Sequence, residues 1–244
     1  MRLTVGHLYP EYLNIYADRG NIAVLRERAR RRGYELETVA IGLDAPVPDG
    51  VDLFYVGGGQ DREQALVSGD LAHKTDALRG ATGAGAAMLA VCGGYQLLGR
   101  FYRDQAGVEL PGVGVLPLHT VAGSRRMIGD VLLECDWAGQ SLAGFENHAG
   151  RTILDEGAEP LGRVVAGYGN DARTGFEGCR AGRIYGTYLH GPLLPRNPWF
   201  ADRLLEDALA HRTGETIELE PLDDKLEAAA HAVSAARARA RGGK

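Results

Sequence analysis

The chain has 244 residues, 45% hydrophobic and 24% charged, and 27 Lys and Arg against 32 Asp and Glu give a formal net charge of −5. That length and apolar fraction suffice for one substantial globular core, expected as a single domain over residues 1–244. The acidic balance argues against a binder of nucleic acid or anionic membrane, because displacing phosphate counterions requires a net basic surface, and no stretch approaches the roughly 18 apolar residues of a membrane span.

In chain order, RLTVGHLY (2–9) alternates like a strand, and GNIAVLRERARRRG (20–33) sets Ile22, Leu25 and Ala29 at helical spacing before a terminating Gly33. The basic run Arg26 to Arg32 on that helix reads as a solvated face. YELETVAI (34–41) is a second strand, and VDLFYVGGG (51–59) is a buried strand that runs into a glycine loop. DREQALVSGDLAHKTDALRGA (61–81) supplies a helix, AAMLAV (86–91) a short buried strand, and YQLLGRFY (95–102) a helix with Leu97, Leu98, Phe101 and Tyr102 on one side. Alternating strands and helices predict an α/β fold with a mostly parallel central sheet covered on both faces. After residue 111 the pieces GVGVLPLHTVAG, IGDVLLECD, LAGFENHAGRTIL, GRVVAGYG and GRIYGTYLH arrive with glycine-rich turns, and predict antiparallel additions to the sheet. Helix returns in NPWFADRLLEDALAHR, and the alanine- and charge-rich tail predicts a terminal helix at about 221–241, fraying or available to a partner. Three cysteines, Cys92, Cys135 and Cys179, without a CxxC pair suggest neither a disulfide framework nor a zinc site and fit a reducing cytoplasm. The opening MRLTVGHLYPEYLN has no apolar core of signal-peptide length, so a cytoplasmic location is expected.

Cys92 closes a buried strand and precedes two glycines and a helix. A nucleophile on such a sharp strand-to-helix turn is presented at the top of the sheet. The helix start stabilises an anionic sulfur, and its free N–H groups can bind an oxyanion. A lone cysteine is more commonly a small buried residue, so the turn by itself leaves both readings open.

VCGGYQLLG (91–99) resembles the nucleophile turn of class I glutamine amidotransferases, usually G-x-C-x-G-x-Q, with Ala90 in place of the first glycine. YGTYLHGPLLPRNP (185–198) resembles the histidine strand of the cobyric-acid-synthase-like branch, VGGGQDRE (56–63) its facing glycine loop, and GFENHAGRT (144–152) a further segment of that branch. With ADRGNIAVLRERA (17–29), the resemblance spans essentially the whole chain and implies a flavodoxin-like class I glutamine amidotransferase fold. It implies that Cys92 attacks the side-chain amide of L-glutamine, that His190 carries the proton to departing ammonia, and that a thioester is then hydrolysed to glutamate. Backbone N–H groups of Gly93 and the glycine loop, Gly58 foremost, are the implied oxyanion hole, and Gln96 matches the position that helps hold the substrate. Arg126 in SRRMIGD is the candidate ligand for the substrate carboxylate, since a guanidinium binds a carboxylate bidentately; Arg125 is the alternative. His148 competes with His190 as base.

One departure matters. Most class I enzymes place a glutamate two residues after the histidine, whereas Pro192 stands there in HGP. Asp18 in YADRGN and Glu146 in FENH are the candidate third members; Asp18 is favoured because an acidic residue after the first strand can reach the same sheet edge. The chain contains no G-x-x-x-x-G-K-[ST] loop, so ATP-dependent activation of an acceptor is assigned elsewhere. No cofactor is therefore expected in this chain. The resemblance implies a heterodimer with a Mur-ligase-like partner that binds ATP and Mg and amidates the α-carboxyl of D-glutamate in lipid II; amidation of a cobalamin-type cofactor is the alternative. A non-catalytic binding protein or a cysteine peptidase on a related sheet are more distant readings.

Overall fold

The computed structural model describes residues 1–15 and 19–241. Strand β1 (Arg2–Leu8), helix α1 (Arg19–Arg31), β2 (Glu35–Ile41), β3 (Leu53–Val56), α2 (Asp61–Gly83) and β4 (Ala87–Val91) follow the predicted order. Every residue of β3 and β4 is buried, as expected for central parallel strands covered on both faces. Gly33, which ends α1, has φ 76°, a left-handed conformation that glycine adopts without a Cβ clash.

The helix expected over 95–102 is shorter. It runs as α3 (Gly93–Leu98), and Phe101–Arg103 is strand β5. The cause is Gly99: its backbone is extended (φ −72°, ψ −171°), and a Cβ there would lie 2.8 Å from the Leu118 carbonyl oxygen. The chain therefore turns out of the helix and pairs β5 with β6 (Glu109–Pro111) and, in parallel, with the strand that starts at Leu118. GVGVLPLHTVAG and IGDVLLECD are not two strands but one, β7 (Leu118–Cys135), which begins only at Leu118. It forms a long antiparallel hairpin with β8 (Gln140–Leu154). Then come β9 (Gly162–Ala166), the short β10 (Phe176–Glu177) and β11 (Cys179–Ala181), β12 (Ile184–Thr187), α4 (Pro198–Thr213) and α5 (Lys225–Arg241).

The central sheet has the order β11-β12-β4-β3-β1-β2, parallel throughout except for the antiparallel edge strand β11. Most antiparallel strands of the second half form their own sheet, β10-β9-β7-β5-β6 with β8 on β7. One hydrophobic cluster runs through both, from Leu3 and Phe54 to Leu133 and Leu142. In the central sheet the chain goes from β1 to β2 on one side and then to β3 on the other. Ligands of open α/β sheets bind at the carboxyl ends of strands beside such a reversal.

The terminal helix begins at Lys225 and does not trail. Ala235 and Ala238 are buried with Leu132, Ala143 and Ala166 of the second sheet. Before it, Asp224 pairs with the buried Arg28 of α1, which also holds Asp202 of α4 at 2.6 Å. Among the described residues no helix is long and apolar enough to cross a membrane.

Candidate active site

Cys92 sits between β4 and α3 with φ 50° and ψ −108°. A non-glycine residue there carries about 1–3 kcal/mol of strain, which the surrounding structure must sustain. It is held by its own N–H, which donates to the Thr187 carbonyl at 2.8 Å, and by its carbonyl, which accepts from Gln96 N–H at 3.0 Å. Cys92 is only 5% exposed, and it lines a cavity of about 640 Å³ together with Gly59, Gln64, Gln96, Arg126 and His148.

The glycine loop after β3 packs directly on the start of α3. Gly94 N–H donates to Gly57 O at 3.1 Å, and a Cβ on Gly94 would come within 2.8 Å of the carbonyl oxygens of Val56 and Gly57. A Cβ on Gly93 would lie 3.0 Å from the Gly59 nitrogen, so the backbone N–H groups beside Cys92 and those of the loop are neighbours. His190, three residues beyond β12, is fully buried, and its N–H donates to Phe145 O at 2.7 Å. Its ring lies over the loop: a Cβ on Gly58 would meet His190 Cε1 at 2.8 Å. Because β12, β4 and β3 are adjacent, the structure brings Cys92, His190, Gly58 and Gly93 to the carboxyl ends of three neighbouring strands.

The arginine pair is divided by a local irregularity. Ala122 pairs with Gly150 and Met127 with His148, so residues 123–126 of β7 face Ala149 alone. In this bulge Arg126 turns to the Cys92 cavity, where its Nε donates to Asn147 Oδ1 at 3.0 Å. Arg125 instead lies over the Tyr168 ring in a separate groove with Asp130 and Arg173.

Glu146 is fully buried and accepts N–H groups of Tyr168 at 2.6 Å and Gly169 at 3.0 Å. Its carboxylate is also 3.5 Å from His148 Nε2, while His148 Nδ1 faces the Gly150 carbonyl at 2.9 Å. Both nitrogens of His148 thus face its own sheet, and its ring stacks flat on Tyr188 at 3.5 Å. Tyr188 OH in turn contacts Thr152 Oγ1 at 2.6 Å and Gln96 Nε2 at 3.1 Å. Asp18 lies outside the described residues.

Sequence reasoning missed Gln64, Arg62 and Tyr102 in the cavity wall, and Tyr188 behind it. Two signals were available. Gln64 lies one helical turn after Gln60 at the start of α2, and Tyr188 lies two residues before His190, on the same side of an extended segment. Cys135 and Cys179 are buried thiols pushed up to about 12 by loss of hydration, which keeps them from forming thiolates. Among the described residues no group of three or more His, Cys, Asp or Glu could hold a metal ion.

Glu177 carries a further constraint on the histidine segment. Wholly buried, it accepts from Thr187 Oγ1 at 3.0 Å and from Tyr188 N–H at 2.6 Å, and burial pushes its carboxyl up to about 8, with nearby Glu146 adding to the effect. The folded chain therefore holds a proton that the unfolded chain releases near 4.5. Stability accordingly falls as pH rises from about 4.5 to about 8, by at most about 1.4 kcal/mol per pH unit. Glu177→Gln, which cannot ionise, is expected to flatten this dependence and to melt higher than the parent above pH 8; thermal melting across pH 5–9 measures it. Parallel curves would show that Glu177 does not titrate in this range.

The chain matches the CobB/CobQ-like glutamine amidotransferase domain over residues 4–198. It is 41% identical over 237 residues, covering 97% of this chain and 96% of that protein, to the lipid II isoglutaminyl synthase (glutamine-hydrolyzing) subunit GatD of Staphylococcus aureus. To the subunit of the same name from Streptococcus pneumoniae it is 36% identical over 227 residues, covering 92% and 87%. Among solved structures, PurLQS from Thermotoga maritima superposes with a TM-score of 0.59 at 16% identity, over 87% of this chain and 100% of that one, a likeness of fold.

Proposed function

The chain belongs to the CobB/CobQ-like glutamine amidotransferase family, and from that premise we infer that it is the glutamine-hydrolysing subunit of a lipid II amidation system, supplying ammonia for conversion of a D-glutamate α-carboxyl to D-isoglutamine. The observation that carries the chemistry is the strained Cys92 turn packed against a glycine loop on which the His190 ring rests. Cys92 transfers its proton to His190 and its sulfur attacks the amide carbon of glutamine. The oxygen takes up negative charge opposite the N–H groups of Gly93 and the loop, with Gly58 as a member of that loop. His190 returns the proton to the leaving nitrogen, ammonia departs, and a thioester remains on Cys92. Water, deprotonated by His190, then releases glutamate and restores the thiol. In this reading Arg126, in the cavity wall, binds the substrate carboxylate through its guanidinium, and Gln96, braced by Tyr188, orients the rest of the molecule. The third member of the catalytic group is Asp18 in this reading, because the carboxylate of Glu146 is directed to His148 and to two backbone N–H groups.

Forming an amide from a carboxylate requires activation, and this chain carries no G-x-x-x-x-G-K-[ST] motif for it. The reading therefore includes a cytoplasmic heterodimer with a Mur-ligase-like subunit that holds ATP and Mg. Ammonia would pass to it directly, since free ammonia in neutral water is mostly protonated and not nucleophilic. Amidation of a cobalamin-type cofactor is disfavoured, because the relatives matched over 96% and 87% of their own lengths both carry the lipid II name.

The test is co-expression with the Mur-ligase-like protein of the same cell, affinity capture through this chain, and incubation with lipid II, ATP, Mg and amide-¹⁵N glutamine. Stoichiometric capture and ¹⁵N in the isoglutamine of the stem peptide are expected. Capture of a cofactor synthase, or amidated lipid II without label, would refute the assignment.

A further inference from the structure

Three buried side-chain atoms without a hydrogen-bond partner among the described residues belong to residues lining the Cys92 cavity: Oε1 of Gln64, Oε1 of Gln96 and Nε2 of His148. Buried polar atoms are normally paired, so such a cluster around one cavity marks groups that a ligand satisfies. Gln96 is already assigned by its place in the nucleophile motif, and His148 Nε2 has Glu146 within 3.5 Å. Gln64 has no role in the reaction as derived above.

Its orientation is fixed by its neighbours. Gln64 is 2% exposed, and its Nε2 donates to the Gly59 carbonyl at 3.3 Å. A carbonyl can only accept, so the NH₂ side of the amide must face Gly59 and Oε1 must face away from it. The side chain also fills the space over Gly93, where a Cβ would come within 2.6 Å of Gln64 Nε2. One amide thus spans both backbone segments that flank the nucleophile. Its Oε1 is left without a partner among the described residues, and Gln64 lines the cavity that Cys92 and Arg126 also line. Arg126 presents only donors, which suit the substrate carboxylate. Glutamine's N–H groups need acceptors, and the unpartnered Oε1 of Gln64 belongs to a residue of the cavity wall.

We propose that Gln64 is a substrate-binding residue whose Oε1 accepts a hydrogen bond from an N–H of bound L-glutamine. The inference rests on the glutaminase reading and adds a specificity element to it. Two groups of glutamine supply such an N–H, the α-ammonium and the side-chain amide. If the amide is the donor, the product glutamate presents a carboxylate oxygen to Gln64 Oε1, and that repulsion favours product release.

Binding is measured by calorimetry on the full chain carrying Cys92→Ser, which holds ligand without turning it over, with and without Gln64→Met. Three ligands are compared: L-glutamine, glutaramic acid, which lacks the ammonium, and L-glutamate γ-methyl ester, which lacks the amide N–H. Gln64→Met is expected to weaken glutamine about tenfold at an unchanged melting temperature. It should leave unchanged the one ligand that lacks the N–H that Gln64 holds, which identifies the donor. Gln64→Glu, which keeps the shape and the acceptor but not the donor to Gly59, should bind glutamine within about threefold of the parent. Equal weakening of all three ligands, or a Gln64→Glu chain as impaired as Gln64→Met, would assign the residue to holding Gly59 and overturn the proposal. So would glutamine affinity that stays within about twofold. If Gln64→Met does not fold, Gln64→Ser takes its place against the same ligands. Failure of glutamine to bind when Gln64 is intact would instead sink the glutaminase reading itself.

Discussion

Cys92→Ser is expected to lower glutamine hydrolysis by about 10⁴-fold or more, with little change in melting temperature. Serine is close to cysteine in size and can take the same position at φ 50°, held by the same bonds to Thr187 and Gln96. Its hydroxyl, however, gives up a proton far less readily than a thiol and makes a poorer leaving group when water resolves the ester. Ammonia release in the intact complex measures the loss. A glutamine-analogue diazoketone, followed by peptide mass spectrometry, locates the reacting sulfur. Label is expected on Cys92 alone, because burial pushes the thiols of Cys135 and Cys179 up to about 12 and neither lines the cavity. Label on either of those two, or turnover that survives in the serine variant, would move the nucleophile elsewhere.

The second large effect is expected at His190. His190→Asn should lower glutamine turnover by about 10²–10⁴-fold, the range that a positioned general acid and base contributes, with a much smaller change in KM. His148→Asn should have an effect within about tenfold of the parent, since it acts only through the pocket wall. The distinction comes from what each ring faces. His148 directs one nitrogen to the Gly150 carbonyl and the other towards Glu146. His190 lies on Gly58, at the end of the strand next to the one that delivers Cys92. If the two variants exchanged magnitudes, the base would be His148, and Glu146 would become the third member. Steady-state kinetics of both variants, with circular dichroism to show that the fold is intact, decides between them.

Much of the backbone frame of the candidate site was readable from short stretches. β3 and β4 are runs of buried residues ending at glycines and at Cys92, and a strand-turn-helix is specified by a few consecutive residues. Gln64 and Tyr188 carry only a spacing signal in the sequence, which does not show what either side chain touches. The importance of Gln64 lies in a carbonyl five residues back and in the bare Cα of Gly93 that its amide packs over. Tyr188 matters through a ring stack and hydrogen bonds to residues 36 to 92 positions away. Sequence favoured Arg126 over Arg125 without a geometric reason, since both lie in the bulge between Ala122 and Met127, whose shape depends on the pairing of β7 with β8.

Composition, hydrophobic period and four separated motifs settle the class of fold, the order of elements as far as β4 and the residue types available for acyl-transfer chemistry, because each depends on neighbours within about one turn or one strand. Tertiary structure alone decides that α3 stops at Gly99, where the Leu118 carbonyl leaves no room for a side chain. It also decides that the second-half strands mostly form their own sheet, and that Glu146 is paired with His148 and two backbone N–H groups. Those outcomes rest on contacts between residues far apart in the chain, whose free energies depend on packing and register that no local window contains.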